Sequence, residues 1–576
     1  MRVKLLSLFV FFSLFTYGGA DRGGYVSYTY NTGTGKYEFK IYTWTNATSL
    51  GVDYCDLTLY IDGGIDSVIC QRINGTAPCP NGGSGLNGVI IDPPNGSYGG
   101  VRENIYQGLQ SVILNTGMHV FTTIDVNRDP GIDNLGGASS SNIPLAITDT
   151  LYVYGGAFYS PNNSPLISFP PIDNACLGTA FCYNPGIIDP DNDSLDFSIS
   201  YSYTDDPNNS PAGIQQIATE IFPSGFSINK QTGTLCWNSS QVQGEYDISI
   251  LIKEYRTSPS SCTRLLVGKT LLDIPIHVVV CPTFNMYWSV NAPGTCIVAG
   301  NTYSVQTNVI GSGAITAPIN ISAVSSSLTA INIGANATFS ATSSGNSATE
   351  NFNWSPACDA VNSFPYHVTI RAFDSSVPAN VRYQTFSIQV IPPPPTNLTV
   401  NNVGNNVVLN WTAPVGCGQT SGNVITNYDI YRIDSCVNFI PISCQIGAPS
   451  IYSYVGASAT TSYTDTNVPN GAHSYIAVTK FYDCSTSMPS SSTCIVTGIE
   501  NFLFNKNISI YPNPSNNNIT IQSSTEIGAI VIYNSLGEVV LQTKSKNLQE
   551  QIDVSKLPSG IYFVQTKGRY SKLVKE

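Results

Sequence analysis

Apolar and polar residues alternate one for one along much of the chain, in short runs. Gly244 to Lys253 (GEYDISILIK) sets Tyr246, Ile248, Ile250 and Ile252 on one face and Asp247, Ser249 and Lys253 on the other. That period of two predicts a strand with one face buried. Phe226–Asn229, then Gln231-Thr232-Gly233, then Thr234–Trp237 reads as strand, glycine turn, strand. Tyr25–Tyr30, the turn residues Asn31–Lys36 and Tyr37–Trp44 repeat the scheme. Spacing of 3.6 is scarce, with one short helix expected near Glu103–Gln110. The pattern predicts an all-β protein.

The chain has 576 residues, enough for about three to six domains rather than one core. Punctuation places the boundaries. Residues 21–160 form an aromatic-rich N-terminal β-domain, and Pro161–Pro171 reads as a joint. Modules are expected at 172–283, 284–392 and 394–497, with the four prolines Pro392–Pro395 as a semi-rigid spacer, and a last domain at 501–576. That last segment holds eight Lys/Arg and five Asp/Glu, a charge of +3. The preceding 500 residues hold 17 and 32, a charge of −15. It also lacks cysteine, which marks it as a separate unit.

Met1–Ala20 (MRVKLLSLFVFFSLFTYGGA) has basic Arg2 and Lys4, an apolar run over Leu5–Phe15 and small residues at Gly18–Ala20. It reads as a secretory signal peptide cut before Asp21. No later apolar run reaches the ~18 residues of a membrane helix, so the mature chain is expected to be exported without a transmembrane segment. Fifteen cysteines suit an oxidising destination, and none is spaced C-x-x-C. Disulfides are therefore expected, with connectivity open and at least one thiol left over. A formal charge of −12, without a basic stripe, makes the chain a poor nucleic-acid binder, and no nucleic-acid partner is expected.

The tail carries the most specific motifs: Tyr511-Pro512-Asn513-Pro514, Asn534-Ser535-Leu536-Gly537, Leu557-Pro558-Ser559-Gly560-Ile561-Tyr562, and the closing Lys572 and Lys575. Read physically they are short strands and turns of a small sandwich. They closely resemble the type A C-terminal sorting domain recognised by the type IX secretion system of Bacteroidota. The resemblance implies export across the outer membrane of a Gram-negative bacterium, with the type IX machinery as partner of residues 501–576. Surface attachment or release, usually with removal of the tail, would follow.

Pro171–Cys176, Asp189–Leu195, Phe226–Ile228, Thr232–Leu235 and Gly244–Tyr246 resemble cadherin-like or Ig-like modules of Bacteroidota surface proteins of the gliding-motility-associated type. Phe352–Cys358 and Pro365–Val368 continue that likeness through 284–392. Residues 394–497 resemble a fibronectin type III domain, through Pro395–Val400, Val407–Trp411, Asn427–Arg432, Tyr463–Asp465 and Ser474–Val478. Tyr475 is its candidate corner tyrosine, expected to bond backbone.

Asp189, Asp191 and Asp193 alternate, with Asp196 following. Such oxygens can wrap calcium, with Asp173 and Asn174 as candidates for a cadherin-like joint; the alternative for the same residues is a solvated Asx-rich turn. An EF-hand is excluded, since Ser194 and Ser200 hold the positions of its Gly and Glu. There is no catalytic constellation and no cofactor-binding motif. His119, His277, His367 and His473 sit in strand-like runs without HExxH, and Gly82–Leu86 misses a nucleophile elbow. The expectation is a non-catalytic, modular surface or secreted protein, adhesive or structural, contacting extracellular glycans or proteins. The alternative is a secreted hydrolase or carbohydrate-binding protein using residues 21–160, where Tyr25, Tyr28, Tyr30, Tyr37, Tyr42 and Trp44 line either a face or a core.

Overall fold

The computed structural model describes residues 21–576 except 49–53, 76–87, 94–98, 127, 138, 156–159, 210, 241, 259–260, 282–284, 313–317, 330–335, 375, 377–378, 418–423, 483, 498–507 and 568. The expected signal peptide, residues 82–86 and the first residues of the expected tail lie outside that description. Forty-one strands and five single-turn 3₁₀ helices account for all the named elements, so the protein is all-β as its periodicity predicts. No described helix is long and apolar enough to cross a membrane.

Fourteen strands form one sheet, and it does not respect the joint expected at 161–171. Strand Arg264–Val279 pairs along its length with Gly244–Thr257. It also pairs with Asp21–Asn31 (Gly24 opposite Asp273) and with Leu145–Val153 (Gly268 opposite Leu151). Residues 21–160 and 172–283 thus share a sheet and are not two beads. The Pro/Asn/Ser-rich segment between them is strapped down rather than loose. Ser164 N–H donates to the Tyr28 carbonyl at 3.0 Å, and Tyr28 N–H to Ser164 Oγ at 2.8 Å.

Two local expectations also change. Residues Val101–Gly108 form a strand against Lys36–Asn46, Ile105 facing Tyr42, instead of the helix expected at 103–110. And Gly244–Thr257 is covered on both faces, Asp247 and Ser249 being as buried as Ile248 and Ile250. Its polar face is covered because Arg128, wholly buried, forms ion pairs with Asp247 and Asp273. Among the aromatics of the first region, Tyr25, Tyr28, Tyr37 and Trp44 are buried: they fill core, not a binding face.

The following regions are two-sheet sandwiches. Residues 285–391 pack two four-stranded sheets around Phe352, Trp354, Val368 and Phe386. Residues 396–497 pack three strands on four around Trp411, Tyr428 and Tyr475, the Trp411 and Tyr428 rings meeting edge-on at 5.2 Å. Residues 508–575 repeat the three-on-four scheme around Ile519, Ile521, Ile530, Ile532 and Val564. Tyr475 does not bond backbone as expected of a corner tyrosine; its hydroxyl donates to Asp465 Oδ2 at 2.9 Å, which also takes Arg432.

Disulfides join regions that the prolines at 392–395 would separate. Cys296–Cys444 and Cys358–Cys417 link the two central sandwiches, and Cys262–Cys484 links the large sheet to the fibronectin-like region. Cys417 and Phe481 lie in the same apolar core as Phe352. The body is cross-braced rather than beaded on free joints. Among the described residues the free thiol is the buried Cys70.

Candidate functional site

The aspartates singled out by sequence do converge. Asp189-Pro190-Asp191-Asn192-Asp193 is a tight turn leading into strand Ser194–Ser200, with Asn192 at φ 62°. Asp189 Oδ1 accepts the N–H of Asp191 at 2.9 Å and of Asp193 at 2.8 Å, so the loop curls around a buried carboxylate. Each of the three offers an oxygen within 4.8 Å of the others.

The cation among them is a side chain. Arg256, at the far end of strand Gly244–Thr257, donates from Nε to Asp193 Oδ1 and Oδ2 at 2.9 and 3.1 Å and from Nη2 to Oδ2 at 2.6 Å. Its Nη2 also stands 3.1 Å from Asp191 Oδ2, and Nη1 donates to the Ser160 carbonyl at 2.6 Å. Asn163 donates to both oxygens of Asp191, at 2.7 and 2.8 Å. Burial works against the guanidinium's charge, yet Asp193 and Asp191 hold its pKa above the ordinary value. Asp189 shifts well upward, through burial first and the Asp193 charge second.

These residues do not fit a calcium ion as they stand. A hard cation wants six to eight oxygens, and among the three carboxylates one oxygen, Asp189 Oδ2, is free of hydrogen bonds. Asp173 and Asp196 lie elsewhere: Asp173 takes Arg371 and the Tyr383 hydroxyl, while Asp196 faces Lys230 and Arg264 at 3.6 Å each. The sequence reading missed Arg256 and Asn163. It missed as well the two fully buried acids behind the turn, Glu254 and Asp149. Asn162 Nδ2 donates to Glu254 at 2.8 Å, and Thr270 to Asp149 at 2.9 Å. Burial, the largest cause for both, drives the two carboxyls well above their ordinary range.

The turn forms the back of a cleft of about 530 Å³ between the large sheet and the next sandwich. Asp196, Gln231, Arg264, Phe364 and His367 are among its walls, and the Cys262–Cys484 disulfide closes one side. Burial pushes His367 down to about 4, so its ring is neutral, with Nδ1 hydrogen-bonded to Ser387 Oγ at 2.8 Å. The other histidines have structural partners: His119 with Asp62 and His473 with Asp434, each at 2.8 Å, and His277 with Glu245 at 3.4 Å.

Residues 509–576 match the secretion system C-terminal sorting domain family. The tail is thus a type IX sorting domain by sequence, and the chain is a secreted or cell-surface protein. None of the curated proteins matches the chain. Among solved structures, an I-band fragment of titin covers 57% of this chain and 97% of its own length, at 11% identity and TM-score 0.18. The fibronectin(III)-like modules of Clostridium thermocellum CbhA cover 37% and 93%, at 15% identity and TM-score 0.15. A two-domain fibronectin type-III segment of chicken tenascin covers 37% and 98%, at 13% identity and TM-score 0.18.

Proposed function

We propose that this protein is a non-catalytic display protein of the outer surface of a Gram-negative bacterium, exported by its tail and acting by adhesion or as a structural element. The sorting-domain match over 509–576 carries the reading. It is supported by a disulfide-braced β-body. Surface Ser, Thr and Asn in place of charge suit polar, multivalent contacts with extracellular glycans or proteins. The tail has its own core and no cysteine, so it folds and is removed independently.

The test is deletion of 501–576. The shortened protein is expected to fold, with its body's melting transition intact, but to stay inside the cell envelope. Recovery of the shortened protein on the cell surface would overturn the reading.

A further inference from the structure

The cleft backed by the Asp189–Asp193 turn presents one carboxylate, Asp196, that the fold leaves without a hydrogen bond. Asp196 stands 3.6 Å from both Lys230 Nζ and Arg264 Nη2, beyond hydrogen-bonding distance. Its carboxylate faces both cations yet accepts no hydrogen bond among the described residues. Arg264 is partly exposed, donates to Ser194 Oγ at 2.8 Å and lies over the ring of Tyr255 at 4.4 Å. Gln231, on the rim, is exposed, and Phe364 is half-buried with its ring 5.8 Å from the Arg264 guanidinium. Asp193 in the back wall is already committed to Arg256.

Those groups select a class of ligand. A volume of about 530 Å³ is within the range of small-molecule sites, where a few fixed polar groups orient the ligand against apolar surface. Lys230 is largely exposed and lies outside the lining, so within the cleft Asp196 and Arg264 offset one for one and leave no excess charge to hold an ion. A carboxylate free to accept two O–H groups, beside arginine and amide donors, matches adjacent hydroxyls. The half-buried Phe364 ring supplies an apolar wall for a flat C–H face. A zwitterionic amino acid or peptide end fits less well, because its ammonium would be a third cation on Asp196.

We propose that this cleft binds a neutral pyranose unit of an extracellular glycan, with Asp196 and Arg264 holding vicinal hydroxyls and Phe364 stacking on the ring. This names the ligand of the adhesive reading above and rests on it. Because binding is measured on purified protein, its failure leaves export and display standing, and failure of display leaves binding measurable.

The experiment uses the oxidised mature chain, with cellobiose, maltose, lactose and chitobiose as probes, in saturation-transfer NMR followed by calorimetric titration. At least one disaccharide is expected to bind, and D196N and F364A each to weaken it tenfold or more at an unchanged melting temperature. Q231A, on an exposed side chain, serves if either of those variants fails to fold, and should weaken binding several-fold. The proposal is overturned if none of the four disaccharides binds. Equal affinity in D196N, F364A and Q231A overturns it too, as does displacement of the sugar from wild type by a dipeptide such as Gly-Phe at lower concentration.

Discussion

Arg256 and Asp193 lie 63 residues apart and meet through three hydrogen bonds, at 2.6, 2.9 and 3.1 Å. That one guanidinium ties the end of the longest hairpin to the aspartate turn and, through Ser160, to the strap between the first two segments. A planar five-donor fork is suited to this; an ammonium is not.

Removing the guanidinium leaves two mostly buried carboxylates without a cation. Arg256→Met is expected to cost about 3–5 kcal/mol, the range for breaking one partner of a buried pair. Arg256→Lys should recover only part of it, because a point charge cannot serve Asp193, Asp191 and Ser160 together. Urea melts of the three proteins measure this. In the same melts EDTA and added calcium should leave wild type unchanged, since Arg256 already sits on the carboxylates calcium would need; a calcium-dependent shift would show the ion displacing it.

Glu350 gives the central sandwich a pH dependence. Its side chain is fully buried, Oε1 takes the Thr307 hydroxyl at 2.7 Å, Oε2 has no partner, and burial raises its pKa from 4.5 to about 7. The folded state therefore keeps a proton that the unfolded chain loses, so stability falls as pH rises from about 4.5 to about 7 and stays lower above. Glu350→Gln is expected to melt higher relative to wild type at pH 8 than at pH 5. An equal difference at both pH values would refute the assignment.

Losing Cys262–Cys484 should uncouple the fibronectin-like region from the large sheet. The bridge spans 222 residues, of which the nested Cys296–Cys444 bridge already closes off 148, and for the remaining loop the chain-entropy model gives roughly 4 kcal/mol. In calorimetry, Cys262→Ser with Cys484→Ser is expected to broaden or split the main transition, with cleavage near 392–395 rising under limited proteolysis. One unchanged transition would mean that packing alone couples the two.

Cys70 is the free thiol among the described residues, fully buried, and burial pushes its pKa up to about 12. It should resist thiol reagents in the folded protein, since the nucleophile is the thiolate. Thiol counting in denaturant, wild type against Cys70→Ser, should differ by one group, and native protein should show no difference.

Strands were legible because alternation is a local signal: Phe226–Ile228 and Leu235–Trp237 pair where their pattern and turn predict. Sheet membership was not, since Gly24 facing Asp273 leaves no trace in either neighbourhood. Ile105 and Leu109, four apart, imitate a helical face, but Ile105 packs as a strand residue against Tyr42 and Leu109 is exposed. Of the site, the three aspartates could be read and their partner could not. An arginine at a strand end looks like an ordinary solvated charge until the fold brings a carboxylate to it.

The bridge between Cys262 and Cys484 also has a mechanical meaning. Tension applied through a surface-tethered end would cross from one sulfur to the other and skip every residue between them. With the Cys296–Cys444 bridge nested inside it, the pair withholds nearly all of the intervening chain from extension. Under load such a chain would stay short and stiff for as long as its surroundings remain oxidising, and would lengthen once they turn reducing.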